Sequence, residues 1–295
     1  MDTPRTRVTG KQDRRDQARE KARIEREAER LRGRRNRVLL QGGIGAAIVA
    51  IVVVITLVIV QRNDAGMPAN GHGPKNMASN GVLIVGPRMQ AELTPRANAN
   101  GRAEVTDRAE HEGTVNIVMF IDYQCPYCRQ FESTNNEQIQ TLVDAGKATL
   151  EVHPISFLDS ASLGNRYSTR AANAAACVAN FDPSHFFAVN SALFADQPAE
   201  RTPGRSDADL HATLKRAGAS SKEIRGCVSA QTFAPWIARV TDELHIGSQT
   251  KVFTGIANTA SAFGGTPTVF VNGEKYTGLP TDPDAFASFI EAQTT

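Results

Sequence analysis

The apolar positions of this chain fall into one unbroken run and several shorter periodic segments. The run is Val38 to Val60, VLLQGGIGAAIVAIVVVITLVIV, 23 residues without a charge. About 20 apolar residues span a bilayer as a helix, and a buried core helix of this length normally keeps a polar face, which is missing here. A cleavable signal peptide carries an apolar region of about 7–15 residues and a small-residue cleavage site. This run is longer and is followed by QRNDAG, a poor cleavage site. It reads as an uncleaved transmembrane signal anchor.

After the run the pattern changes. Residues 61–78 are mostly Gly, Asn, Pro and Ala and read as a flexible linker. VLIV, Val82 to Val85, is a short strand, and a polar, turn-rich connection follows to about Gly113. TVNIVMFIDY has the length and β-branched content of a buried strand. Pro126 suits the first turn of a helix; Phe131, Ile139, Leu142 and Val143 give it an apolar face, and Gly146 ends it. ATLEVHPISF alternates as another strand. From about 160 to 250 the chain is helical, with the alanine-rich STRAANAAACVAN and the apolar stripes of SHFFAVNSALF and FAPWIARVTDEL. PTVFVNGEKYTG is a hairpin about an Asn272-Gly273 turn, with strands Thr268 to Val271 and Glu274 to Thr277. A last helix has Asp282 as N-cap, Pro283 at its first position and Phe286, Phe289 and Ile290 on one face. The order is βαβ, a helical block, then ββα.

Charge sets the orientation. Residues 1–37 hold 14 basic against 7 acidic residues, leaving 19 basic and 24 acidic for the remainder. Arg30, Arg32, Arg34, Arg35 and Arg37 precede the span, and only Arg62 lies close after it. By the positive-inside rule the N-terminus is cytoplasmic and residues 61–295 lie outside. The basic segment is thus a topology signal, and the mildly acidic remainder excludes a nucleic-acid partner for the folded part. All four cysteines, Cys125, Cys128, Cys177 and Cys227, fall in the extracytoplasmic part, where disulfides form and persist.

Two of those cysteines are the candidate chemistry. Cys125 and Cys128 bracket Pro126 and Tyr127 in FIDYQCPYCRQF, at a strand-to-helix junction. A thiolate is the nucleophile in disulfide exchange, and an ordinary thiol with a pKa of about 8.5 is mostly protonated at neutral pH. A cysteine at a helix start faces the positive end of the dipole and free N–H groups, which stabilise its thiolate. Cys128, one turn on, can close a small ring with it. Zinc would need two more ligands, but Cys177 and Cys227 lie outside any CxxC and the six histidines form no H-x₃₋₅-H pair. A purely structural disulfide in so tight a ring would stabilise little. Thr266-Pro267, in GGTPTVFVNG, heads the second half as the dithiol heads the first. A cis peptide there would present a backbone edge to an incoming chain.

VMFIDYQCPYC with GGTPTVFVNG and the helical block between them resembles the DsbA-like branch of the thioredoxin fold, over about Ser79 to Ala292. The likeness is strongest to the membrane-anchored forms of Gram-positive and actinobacterial envelopes. It implies an α/β thioredoxin-like fold (βαβ…ββα) with an inserted helical domain, preceded by one transmembrane helix. The organisation expected is a basic segment 1–37, anchor 38–60, linker 61–78 and catalytic domain 79–295. The resemblance makes Cys125 the exposed nucleophile and Cys128 the resolving cysteine, with Thr266 and cis-Pro267 holding the substrate backbone. It implies no metal or organic cofactor, exported protein thiols as substrates, and reoxidation by a DsbB-like or vitamin K epoxide reductase-like membrane partner.

One departure stands out. Many relatives place a buried acid six residues before the first cysteine, as a proton relay; here that position is Met119. Asp122, three before, is expected to be too exposed to substitute. Cys177 and Cys227, both in the helical block, are expected to form a structural disulfide rather than two free thiols or a second redox pair. Trp236, Phe186, Phe187 and Phe194 are expected in packing, and His153 in a structural role. The reading is a membrane-anchored, extracytoplasmic thiol–disulfide oxidoreductase that donates the Cys125–Cys128 disulfide. A reductase or isomerase of the same fold, or a non-catalytic peptide-binding module, are the alternatives.

Overall fold

The computed structural model describes residues 73–99, 102–106, 111–245 and 264–294. The basic segment, the Val38–Val60 run and linker residues 61–72 lie outside the described residues. Among the described residues no helix is long and apolar enough to cross a membrane.

Six strands form one sheet: β1 (Val82–Val85), β2 (Gln90–Ala91), β3 (Val115–Ile121), β4 (Ala148–Pro154), β5 (Thr268–Val271) and β6 (Glu274–Lys275). Their order is β2-β1-β4-β3-β5-β6. β3 sits inside, parallel to β4 and antiparallel to β5. Every β3 residue except Asn116 is buried, the near-continuous apolar reading of a strand covered on both faces. Met119 pairs in register with Val152 and Val269, inside this core. β5 and β6 turn at Asn272 and Gly273, both at positive φ, as a type I′ turn needs. β6 is shorter than the sequence pattern suggests, ending at Lys275.

Helix α1 (Pro126–Asp144) follows β3 and returns the chain to β4. It is fastened to the C-terminal helix α7 (Pro283–Ala292) by Phe131, whose ring is 5.0 Å from that of Phe286 and 6.3 Å from that of Tyr276. Asp282 caps α7 by accepting from the Ala285 N–H at 3.0 Å.

Between β4 and β5 lies the helical insertion: α2 (Tyr167–Phe181), α3 (Phe186–Ala195), α4 (Asp207–Arg216), α5 (Lys222–Ser229) and α6 (Ala234–His245). α2 is buried over almost its whole length. Its alanines carry too little bulk to keep neighbours away, so α3, α5 and α6 pack directly around it. Cys177 of α2 and Cys227 of α5 are joined by a disulfide, with Cα atoms 5.9 Å apart. Phe186, Phe194 and Trp236 are fully buried, while Phe187 is half-buried. His153 is buried, stacked on Phe120 at 4.5 Å and 3.2 Å from Glu151.

The expected linker boundary at 78 is corrected by the structure: residues 73–78 belong to the folded domain. Met77 is completely buried. The Asn76 amide donates to the Ala179 carbonyl at 2.8 Å, and the Lys75 N–H donates to Asn180 Oδ1 at 3.0 Å. These bonds satisfy groups at the C-terminal end of α2, where the helix leaves carbonyls without intrahelical partners.

The disulfide closes a loop spanning 50 residues. Cys227→Ala should lower the unfolding free energy by about 4 kcal/mol, the loop-entropy value for that length. Denaturant titration of oxidised protein checks this; a loss below about 1 kcal/mol would show that the bridge carries no structural load.

Candidate active site

β3 ends at Ile121, and the chain turns through Asp122, Tyr123 and Gln124 to Cys125, the N-cap of α1, in extended conformation. Pro126 opens the helix, and no acidic residue stands in its first turn to oppose an anion. The Cys125 N–H is bonded to the Asp122 carbonyl at 3.0 Å, which fixes the turn. The loop thus delivers both cysteines to the helix start, where unused N–H groups point outward.

The two thiols have unequal surroundings. Cys125 accepts hydrogen bonds from the Cys128 thiol, the Thr266 side chain and the backbone N–H groups of Cys128 and Tyr127; these outweigh burial and lower its pKa to about 6. In the protonated form its thiol faces the Thr266 carbonyl at 3.1 Å. Cys128 is pushed well above the ordinary thiol range, first by burial and then by its bond to Cys125. Thr266 and Pro267 are joined by a cis peptide bond and lead into β5, which pairs with β3 directly beside the dithiol. Tyr127 stands out from the surface at 61% exposure.

Two expectations are corrected. Cys125 is not exposed: only 3% of its surface is accessible, and its sulfur and carbonyl are bonded to Thr266 and Gln197. Asp122 is not exposed either; it is completely buried. Its side chain folds back to accept from the Gln124 N–H (2.8 Å), the Ser168 hydroxyl (2.7 Å) and the Leu158 N–H (2.8 Å). Burial outweighs these bonds and raises its pKa to about 7. The Asp122 carboxylate charge adds to the rise of the Cys128 thiol, so this buried acid acts on the resolving cysteine although Met119 occupies the position six before Cys125.

Glu132 was not singled out in the sequence. It lies one turn beyond Cys128, a spacing that shares a helix face. Its Oε1 accepts from the Ser191 hydroxyl at 2.8 Å and the Asn190 amide at 3.3 Å, and Tyr123 donates to Asn190 at 3.0 Å. Burial raises its pKa to about 7, and it borders a cleft of about 400 Å³ between α1 and α3. The i,i+4 relation to Cys128 was the available signal. Cys177 and Cys227 lie in the insertion as a closed, buried bridge, separate from the dithiol. Among the described residues no group of three or more His, Cys, Asp or Glu could hold a metal ion.

A family model described as thioredoxin matches residues 109–292, more than half of the chain. The chain belongs to the thioredoxin family. Among solved structures, this thioredoxin-family chain resembles reduced DsbG, a disulfide bond oxidoreductase of Mycobacterium tuberculosis, with 26% identity and a TM-score of 0.51, covering 73% of this chain and 88% of the other. It shares its fold with oxidised DsbA of the same organism: 24% identity, TM-score 0.53, 72% and 92% covered. A curated relative, the serine/threonine-protein kinase PknE of M. tuberculosis, is 34% identical over 118 residues, 39% of this chain and 21% of the kinase. The chain spans about a fifth of the length of the curated relatives it matches. A stabilised thiolate three residues from a protonated thiol is the arrangement that thiol–disulfide exchange requires.

The titration follows in sign from the lowered pKa. In reduced protein, alkylation of Cys125 by iodoacetamide should rise with pH and reach half its maximum near pH 6. A midpoint near that of an ordinary thiol, about 8.5, would contradict the stabilised thiolate.

Proposed function

We propose that the chain is an extracytoplasmic oxidase of protein thiols, held to a membrane by Val38–Val60 and donating its Cys125–Cys128 disulfide to exported proteins. The observation that carries this reading is the split between the two thiols: a Cys125 thiolate favoured at neutral pH and a Cys128 thiol held protonated. Stabilising the reduced form makes the disulfide the stronger oxidant. The anchor and the charge bias of residues 1–37 support the location, and the DsbG likeness supports the reaction class.

The reaction has two steps. A substrate thiolate attacks Cys125 Sγ; the Cys125–Cys128 bond breaks, and a mixed disulfide forms. Cys128 leaves as a thiolate, and its high proton affinity demands a proton at once. The Asp122 carboxyl, half-protonated near neutral pH and near enough for its charge to act on Cys128, supplies it. A second substrate thiolate then attacks the substrate sulfur of the mixed disulfide. Cys125 departs as a thiolate of pKa about 6, a good leaving group. Two electrons have passed to the enzyme, and the substrate holds a disulfide. The Thr266-Pro267 edge, whose Thr266 carbonyl lies 3.1 Å from the Cys125 sulfur, holds substrate backbone through the mixed-disulfide stage. Reoxidation falls to a membrane disulfide donor of the DsbB or vitamin K epoxide reductase type, and tethering raises its effective concentration.

Cys128→Ser protein, preloaded at Cys125 as a mixed disulfide with thionitrobenzoate and given an exported substrate with one thiol, should release thionitrobenzoate and accumulate the Cys125–substrate mixed disulfide, while Cys125→Ser treated alike should form none. Asp122→Asn should slow the first step about ten-fold or more, the range of a single general-acid contribution, and leave the second step unchanged. Stopped-flow and mass spectrometry read both. Substrate oxidation that survives Cys125→Ser would overturn the assignment.

A further inference from the structure

The helical insertion touches the peptide of the reacting residue itself through one side chain. Gln197, two residues past the end of α3, donates from Nε2 to the Cys125 carbonyl oxygen at 2.9 Å. That carbonyl also accepts the first ladder bond of α1, from the Arg129 N–H at 3.2 Å, so both its lone pairs are engaged.

Gln197 is held firmly in place. Its own N–H is bonded to the Phe194 carbonyl at 3.1 Å. The preceding residue, Asp196, accepts from the Thr213 hydroxyl at 2.5 Å and from the Arg216 guanidinium, both on α4. The Phe194 ring lies 5.1 Å from that of Tyr123, two residues before Cys125. Hydrogen bonds and aromatic packing therefore fasten the end of α3 to α4 on one side and to the active-site loop on the other.

We propose that Gln197 is a positioning residue for the nucleophile, reaching from the helical insertion to hold the Cys125 carbonyl and thereby favour the Cys125 thiolate. The carbonyl oxygen carries partial negative charge in the same residue as the sulfur. A donor that offsets this charge lowers the cost of placing a full charge on Sγ. The same bond keeps Cys125 in its extended N-cap conformation, with Sγ under the N–H groups of Tyr127 and Cys128. Gln197 bonds the Cys125 carbonyl, so it acts on the sulfur through the peptide. The proposal rests on Cys125–Cys128 being the working dithiol and adds a residue that sets its reactivity.

The test uses reduced full-length protein in detergent and reads Cys125 alkylation from pH 4 to 9 alongside the melting temperature. Gln197→Met keeps the length and loses the donor; alkylation at pH 6 should fall about three-fold, the size of one modest hydrogen bond. Gln197→Glu sets a carboxylate against the carbonyl and should lower it about ten-fold, since a like charge disfavours the thiolate. Gln197→Lys restores a donor and should return the parent rate or exceed it. At pH 9, where the thiolate is complete, parent and Gln197→Met should react alike. Unchanged pH profiles in Gln197→Met and Gln197→Glu would overturn the proposal. So would an equal loss at every pH with a lower melting temperature, which marks general loosening. A parent that itself titrates as an ordinary thiol would contradict the dithiol reading and remove this proposal with it; a parent midpoint near pH 6 shared by all variants contradicts this proposal alone.

Discussion

The hydrogen bond from the Cys128 thiol to the Cys125 sulfur is the interaction on which the site depends. It does two opposite things at once, steadying charge on one sulfur and withholding it from the other. It exists only because both cysteines stand in the first turn of one helix, three residues apart, with N–H groups of that turn free to join in. Linkage gives the sign. A thiolate with a lowered pKa contributes stability that is complete above the unfolded thiol's pKa and is lost as pH falls through about 6. The reduced domain alone enjoys this term, since the disulfide does not titrate.

The rest of the fold holds that turn in place. β3, buried between β4 and β5, ends at the loop carrying Asp122 and the dithiol. From the other side the helical insertion grips the same loop at separate points. Ser168 of α2 bonds Asp122, Asn190 of α3 bonds Tyr123, and Gln197 bonds Cys125. The Cys177–Cys227 bridge ties α2 to α5 behind these contacts. The insertion thus serves as a clamp on the active-site loop. A chain with the sheet and α1 alone would keep the CPYC turn but leave Asp122 without the Ser168 bond.

Local chemistry explains which features were legible in the sequence. β3 was readable from its length and branched residues, α1 from Pro126 and its apolar face, the hairpin from Asn272-Gly273, and α7 from Asp282-Pro283. Each is decided by a few adjacent residues. The dithiol and Thr266-Pro267, 141 residues apart at Cys125 and Thr266, were readable as a pair through family resemblance, and the structure brings them within 3.1 Å. Asp122 was misread because its burial depends on Ser168 and Leu158, which nothing near it in sequence announces. Glu132 escaped notice because a glutamate on a helix defaults to solvent, whereas here Asn190 and Ser191 of α3 bond it in a buried position. Gln197 lies 72 residues from its partner in an otherwise ordinary polar loop. Residues 73–78 have the composition of a linker, yet Asn76 and Met77 find partners on the folded domain.

The most direct test of the account is the reduction potential of the Cys125–Cys128 pair, measured on full-length protein equilibrated in glutathione buffers at pH 7. A stabilised thiolate and an oxidase role predict a potential more positive than about −230 mV, on the DsbA side of the family range. A potential at or below roughly −270 mV, that of thioredoxin, would contradict disulfide donation and assign the same geometry to a reductase.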